Sequence, residues 1–128
     1  MFSISKDFAF SASHKLDGLA EDHPCSRLHG HNYIVRLTIR SEDLNPVGFV
    51  YDYRNLDKFK QWIDDVVDHK DLNEVMFNEG IETNPTAEMM ARWFRAVALE
   101  LLDIPLGMKV AVSVSETPKT WATYEVTR

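Results

Sequence analysis

His29 and His31 stand two residues apart in Cys25-Ser-Arg-Leu-His29-Gly-His31. In an extended chain such a pair points to one face. His14 closes an upstream stretch, Ser-Ala-Ser-His, on the apolar parity of that stretch. Three neutral imidazoles make a tris-nitrogen zinc site with an open fourth position, the arrangement of catalytic rather than structural zinc. The alternative is a set of core-edge histidines satisfied by backbone partners. Gly30, between the pair, suggests close approach of backbone or ligand. Cys25 lies four residues before His29. It is open to three readings: a fourth metal ligand, a catalytic thiol favoured as thiolate by a nearby cation, or an inert small hydrophobe. Asp68-His69 reads either as a helix C-terminus with a favourably placed imidazole or as a carboxylate orienting a histidine for proton transfer. Glu116 continues the buried side of Val110-x-Val112-x-Val114. A carboxylate there needs a partner. That partner is either a protein cation or a flat ligand offering two N–H donors.

The elements that position these groups follow from periodicity. Phe2, Ile4, Phe8, Phe10 and Ala12 alternate with polar residues over 2–14, as a half-buried strand does. Tyr33, Val35, Leu37 and Ile39 do the same over 29–40. Between them, residues 15–27 lose periodicity and read as a loop. Asn45, Pro46 and Gly48 mark a turn. Leu56, Phe59, Ile63, Val66 and Val67 take helical spacing, with Asp52 or Asn55 as the cap. Asn84-Pro85-Thr86 opens a second helix with the stripe Met90, Trp93, Phe94, Val97 and Leu101. Pro105 and Gly107 close it. A third strand runs over 110–115 and a short final one over 121–127. The order β-β-α-α-β-β predicts an α+β fold: an antiparallel sheet with two helices on one face.

The chain has 128 residues, 45% apolar and 11% aromatic, with a net charge of −6. This length suits a single domain over 1–128 and a real core. The composition excludes disorder, and no apolar run approaches a membrane span. The acidic balance argues against nucleic-acid binding. One cysteine and no signal-like opening fit a cytoplasmic protein.

Four segments together resemble the 6-pyruvoyl-tetrahydropterin synthase superfamily: Ser-Ala-Ser-His14 with Cys25-Ser-Arg-Leu-His29-Gly-His31, Asp68-His69-Lys-Asp-Leu-Asn73, Asn84-Pro-Thr86-Ala-Glu88, and Ser-Glu116-Thr. The resemblance runs from about residue 4 to residue 126. The Cys-x-x-x-His-Gly-His spacing is similar to that of the 6-carboxy-5,6,7,8-tetrahydropterin synthases of queuosine biosynthesis, whose pyruvoyl-forming sisters typically have a longer gap. The resemblance implies a tunnelling fold, in which three subunits close a twelve-stranded barrel and two barrels stack into a homohexamer. It implies Zn2+ on His14, His29 and His31, Cys25 as general base, and His69 oriented by Asp68 as a relay supplied from another subunit. It also implies Glu116 as pterin anchor and relay member, with Thr86 and Glu88 helping to hold the pterin. The implied reaction takes 7,8-dihydroneopterin triphosphate and water to 6-carboxytetrahydropterin, acetaldehyde and triphosphate. Lys15, Arg27 and Lys119 are loop cations suited to the triphosphate.

Overall fold

In the computed structural model, which describes residues 1–127, strand β1 spans Phe2–His14 and β2 spans His29–Ser41. They pair antiparallel along their whole length, from Phe2 opposite Ser41 to His14 opposite His29. Strands β4 (Lys109–Ser115) and β5 (Ala122–Thr127) extend the sheet beyond β2, both antiparallel. The alternation decides which face is wet. Phe8, Phe10 and Ala12 of β1, Tyr33, Val35, Leu37 and Ile39 of β2, and Val110, Val112 and Val114 of β4 are buried together. The opposite face carries Ser3, Ser5, Arg36 and Thr38 and stays polar. There Arg36 makes a two-pronged ion pair with Asp7, its partner in the ladder.

Helices cover the apolar face. Asp52 caps a 3₁₀ turn over Tyr53–Leu56, its carboxylate accepting from the Arg54 N–H, and this turn leads into α1 (Asp57–Trp62). Leu56, Phe59, Ile63 and Val67 are buried as their spacing predicts, and Val66 is partly exposed. The last turn, Ile63–Val67, is widened to a π-helix, with the Asp68 N–H donating to the Ile63 carbonyl. Helix α3 (Ala87–Leu101) starts at Thr86, whose hydroxyl accepts from the Met89 N–H. It presses Met90, Ala91, Phe94 and Ala98 onto the sheet. Phe94 packs edge-on against Phe10 and Trp62. Arg95, on the same buried side, donates to the carbonyls of Val110 and Val126 and so ties α3 to two strands. Among the described residues no helix is long and apolar enough to cross a membrane.

The expected α+β layout holds, with two additions between α1 and α3. Lys70–Asp71 form a two-residue strand, β3, that lies parallel to β1 at Ala12–Ser13. Leu72–Asn78 then form a short helix, α2, capped by Asp71. Among the described residues the sheet therefore has five strands in the order β3-β1-β2-β4-β5, not four, and there are three α-helices, not two. Both additions are too short to show a period. Helix α2 buries only Leu72 and Met76.

Phe94→Ala removes a fully buried ring from the junction of sheet and helices. It is expected to cost about 3–5 kcal/mol in urea unfolding. A loss below about 1 kcal/mol would mean that α3 does not carry the core.

Candidate active site

The β1–β2 register sets the first part of the site. His14 stands directly opposite His29, and Ala12 opposite His31, so the three imidazoles share the helix-covered face at one end of the sheet. Their ring centroids are 4.6, 4.8 and 5.1 Å apart. One ligating atom from each ring lies within 4.8 Å of the others. Two ring orientations are fixed from behind. His14 Nδ1 donates to the Pro85 carbonyl at 2.7 Å, and His29 Nδ1 donates to the Arg27 carbonyl at 2.7 Å. A carbonyl can only accept, so in the neutral form of each ring the proton sits on Nδ1 and the lone pair on Nε2. Outer carbonyls that hold the tautomer in this way are the usual companions of metal-bound histidine.

His14 Nε2 and His31 Nε2 are buried and have no hydrogen-bond partner. Burial lowers the pKa of both rings, against an opposing pull from the Glu116 charge. Neutral imidazoles with unshared lone pairs, gathered at one point, are a donor set that fits zinc. Glu116 follows β4 directly, and its carboxylate is half-buried 3.7 Å from His31 Nε2. It borders a cleft of about 400 Å³ together with Ala87, Glu88, Val114 and Trp121. Thr86 serves as the cap of the helix that carries Glu88, and Glu88 is exposed in its first turn.

The loop between β1 and β2 carries Cys25 in a 3₁₀ turn, Pro24–Ser26. The thiol is half-buried and lies outside the group formed by the three histidines. Two asparagine side chains tie this loop down. Asn73 accepts from the Lys15 N–H and donates to the Lys15 carbonyl, both at 2.9 Å. Asn84 does the same to Asp17, at 2.9 and 2.8 Å. Each amide thus mimics a peptide group and pairs with the chain just past His14. Sequence reasoning did not assign these roles. Both residues sit beside turns, where asparagine is common for many reasons. Of the close approach of backbone or ligand expected at Gly30, the backbone half is not seen. A Cβ there would lie 3.5 Å from the Ala12 carbonyl, an ordinary contact.

Asp68 and His69 leave the π-helical turn at the outer edge of β1. The Asp68 carboxylate accepts from the Ser11 N–H at 2.9 Å and lies 3.0 Å from His69 Nδ1. The Ser11 N–H first, and His69 second, hold this carboxyl below its usual range. His69 takes a positive φ of 59°, and its N–H donates to the Ser11 carbonyl. That backbone hold turns the ring outward, 81% exposed. His69 and His31 both border an open depression of about 510 Å³. The structure thus brings together His14, His29, His31 and Glu116. It leaves Cys25 and the Asp68-His69 pair on separate neighbouring segments. Lys15, Arg27 and Lys119 are exposed on loops.

Asn84→Ala deletes both bonds to Asp17. It is expected to cost about 1–3 kcal/mol, at roughly 0.5–1.5 kcal/mol per bond. It should also speed amide exchange at Asp17 while leaving exchange in β4 unchanged. Unchanged protection at Asp17 would show that the clamp does not hold the loop.

A model of the 6-pyruvoyl tetrahydropterin synthase family matches residues 3–127. The chain is 35% identical to a 6-carboxy-5,6,7,8-tetrahydropterin synthase of Synechocystis, over 97% of this chain and 93% of the relative. It is 30% identical to the enzyme of that name from Bacillus subtilis, over 96% and 84%. Its fold superimposes on the 6-pyruvoyl tetrahydropterin synthase of Caenorhabditis elegans with a TM-score of 0.80, at 26% identity, covering 98% of this chain and 96% of the other. With the histidine cluster, the sheet and nearly every residue accounted for, the chain belongs to the 6-pyruvoyl tetrahydropterin synthase family.

Proposed function

We propose that this chain is a zinc-dependent lyase, a 6-carboxy-5,6,7,8-tetrahydropterin synthase of queuosine biosynthesis. It would convert 7,8-dihydroneopterin triphosphate and water to 6-carboxytetrahydropterin, acetaldehyde and triphosphate. The observation that carries the reading is the cluster of three inward histidines, two with orphaned ring nitrogens, beside the Glu116 carboxylate. The names of the Synechocystis and Bacillus relatives support the carboxy-forming outcome. So does the gap of three residues between Cys25 and His29.

His14, His29 and His31 would hold the zinc, which would supply a Lewis acid for the oxygens of the substrate side chain. Glu116 anchors the ring by accepting from its 2-amino and ring N–H groups, a bidentate match for a carboxylate. Glu88 and the Thr86-capped turn border the same cleft and help hold the pterin. Cys25 takes protons from the side chain as general base. The clamps on Lys15 and Asp17 limit how far its loop can move. Asp68 holds one nitrogen of His69 and leaves the other free to relay protons. With its ring exposed, His69 is placed to serve a site in a neighbouring subunit, which suits the proposed homohexamer. The outer edge of β5 is unpaired within the chain, and closure into a barrel would remove that edge. Lys15, Arg27 and Lys119 are the proposed triphosphate cations. A cytoplasmic location completes the reading.

A second reading, the pyruvoyl-forming synthase, is favoured by the structural likeness to the Caenorhabditis elegans enzyme. A non-catalytic pterin- or metal-binding module is the third, and the joint presence of Cys25 and His69 argues against it.

His31→Ala is expected to lose most bound zinc in metal analysis, whereas Cys25→Ala should keep the zinc and lose turnover about 10²–10⁴-fold. Full occupancy in the first variant would remove His31 from the site, and full activity in the second would remove Cys25 from the chemistry. The product decides between the synthases. Incubation with dihydroneopterin triphosphate should yield acetaldehyde, trapped with alcohol dehydrogenase, and a carboxypterin by mass spectrometry. Triphosphate release without acetaldehyde would favour the pyruvoyl-forming reading instead.

A further inference from the structure

Among the described residues, three buried side-chain polar atoms lack a hydrogen-bond partner: His14 Nε2, His31 Nε2 and the Tyr33 hydroxyl. All three belong to one patch. Tyr33 lies two residues beyond His31 on the same face of β2, and its ring is 5.4 Å from His31 and 5.8 Å from His14. The ring itself is well used. It stacks on Phe10 at 4.8 Å and is fully buried. The hydroxyl adds nothing to that packing, because phenylalanine would stack equally well. A buried hydroxyl without a partner is a cost that folding alone gives no reason to keep. The two imidazole nitrogens are acceptors awaiting a cation, whereas the phenol is a donor awaiting an acceptor. A phenol keeps its proton at physiological pH, so this hydroxyl is a donor. A built-in acceptor at the end of the neighbouring strand is Glu116. The last ladder pair, Ile34 with Ser115, sets Tyr33 and Glu116 side by side, yet no hydrogen bond joins them.

We propose that Tyr33 is a positioning residue of this site, its hydroxyl donating to the oxygen ligand that completes the coordination of a metal on His14, His29 and His31. The inference rests on the zinc reading above. It adds a fourth residue from the same two strands, one that orients the exchangeable ligand without touching the metal. It also explains why a hydroxyl is kept at a position where the core needs only a ring.

Tyr33→Phe removes a single oxygen and keeps the stacking. Three readouts separate a positioning role from a packing role. The metal-free variant should melt higher than the metal-free parent, by about 3 °C or more, because an orphaned donor is gone. Its affinity for zinc alone, by chelator competition, should fall about tenfold, as for other outer-shell partners. Its Co2+-loaded form should show shifted visible bands, since the oxygen ligand has lost its donor. Unchanged zinc affinity and an unchanged Co2+ spectrum would overturn the proposal. A wild-type protein that takes up no zinc would overturn the metal reading and this inference together. Zinc bound equally by the parent and Tyr33→Phe would overturn this inference alone.

Discussion

The register of β1 against β2 is the constraint on which the rest depends. Side chains alternate with a period of two, so a slip of one residue would turn a strand's apolar set outward. The same slip would carry His14 away from the other two histidines. Burial of Phe8, Phe10, Tyr33, Val35, Leu37 and Ile39 fixes this register with many contacts. The site therefore needs no separate device to align its ligands: the force that makes the core also sets the three rings opposite one another.

Strands alone would leave the site unfinished, because its remaining parts lie in irregular chain. Side-chain hydrogen bonds do what a ladder does elsewhere. Asn73 and Asn84 pair with the backbone beyond His14, and Asp68 pairs with the Ser11 N–H at the strand's other edge. The Pro85 carbonyl, just before α3, fixes the His14 ring. Each of these bonds joins segments more than fifty residues apart. The start of α2 and the segment leading into α3 thus bear directly on the site, and the burial of both helices on the sheet holds the loop and the histidine in place.

The end of the sheet that carries the histidines departs from the rest of the core. Elsewhere the buried face is hydrocarbon, and the buried Arg95 guanidinium is bonded to two carbonyls. Here polar atoms are withdrawn from water without partners, and a carboxylate stands at their side. Such a place is destabilising by itself, and it becomes favourable when a cation and its ligands supply the missing partners.

By itself the sequence determined the four long strands, the two main helices and the histidine set, because each rests on a local period. Alternation and helical spacing are properties of neighbouring residues, and they were enough to put His14, His29 and His31 on apolar parities and Glu116 at the end of one. Only the tertiary structure decided how segments remote in the chain meet. Strand β3 and helix α2 are too short for a period and exist because Ala12 and Ser13 offer an unpaired edge and the core has room for Leu72 and Met76. The asparagine clamps are bonds between loops, and no pattern within one segment encodes a partner. Tyr33 shows the difference within one side chain. Its ring was legible as part of an apolar stripe. The solitude of its hydroxyl was not, because hydrogen bonding depends on what every other element brings near.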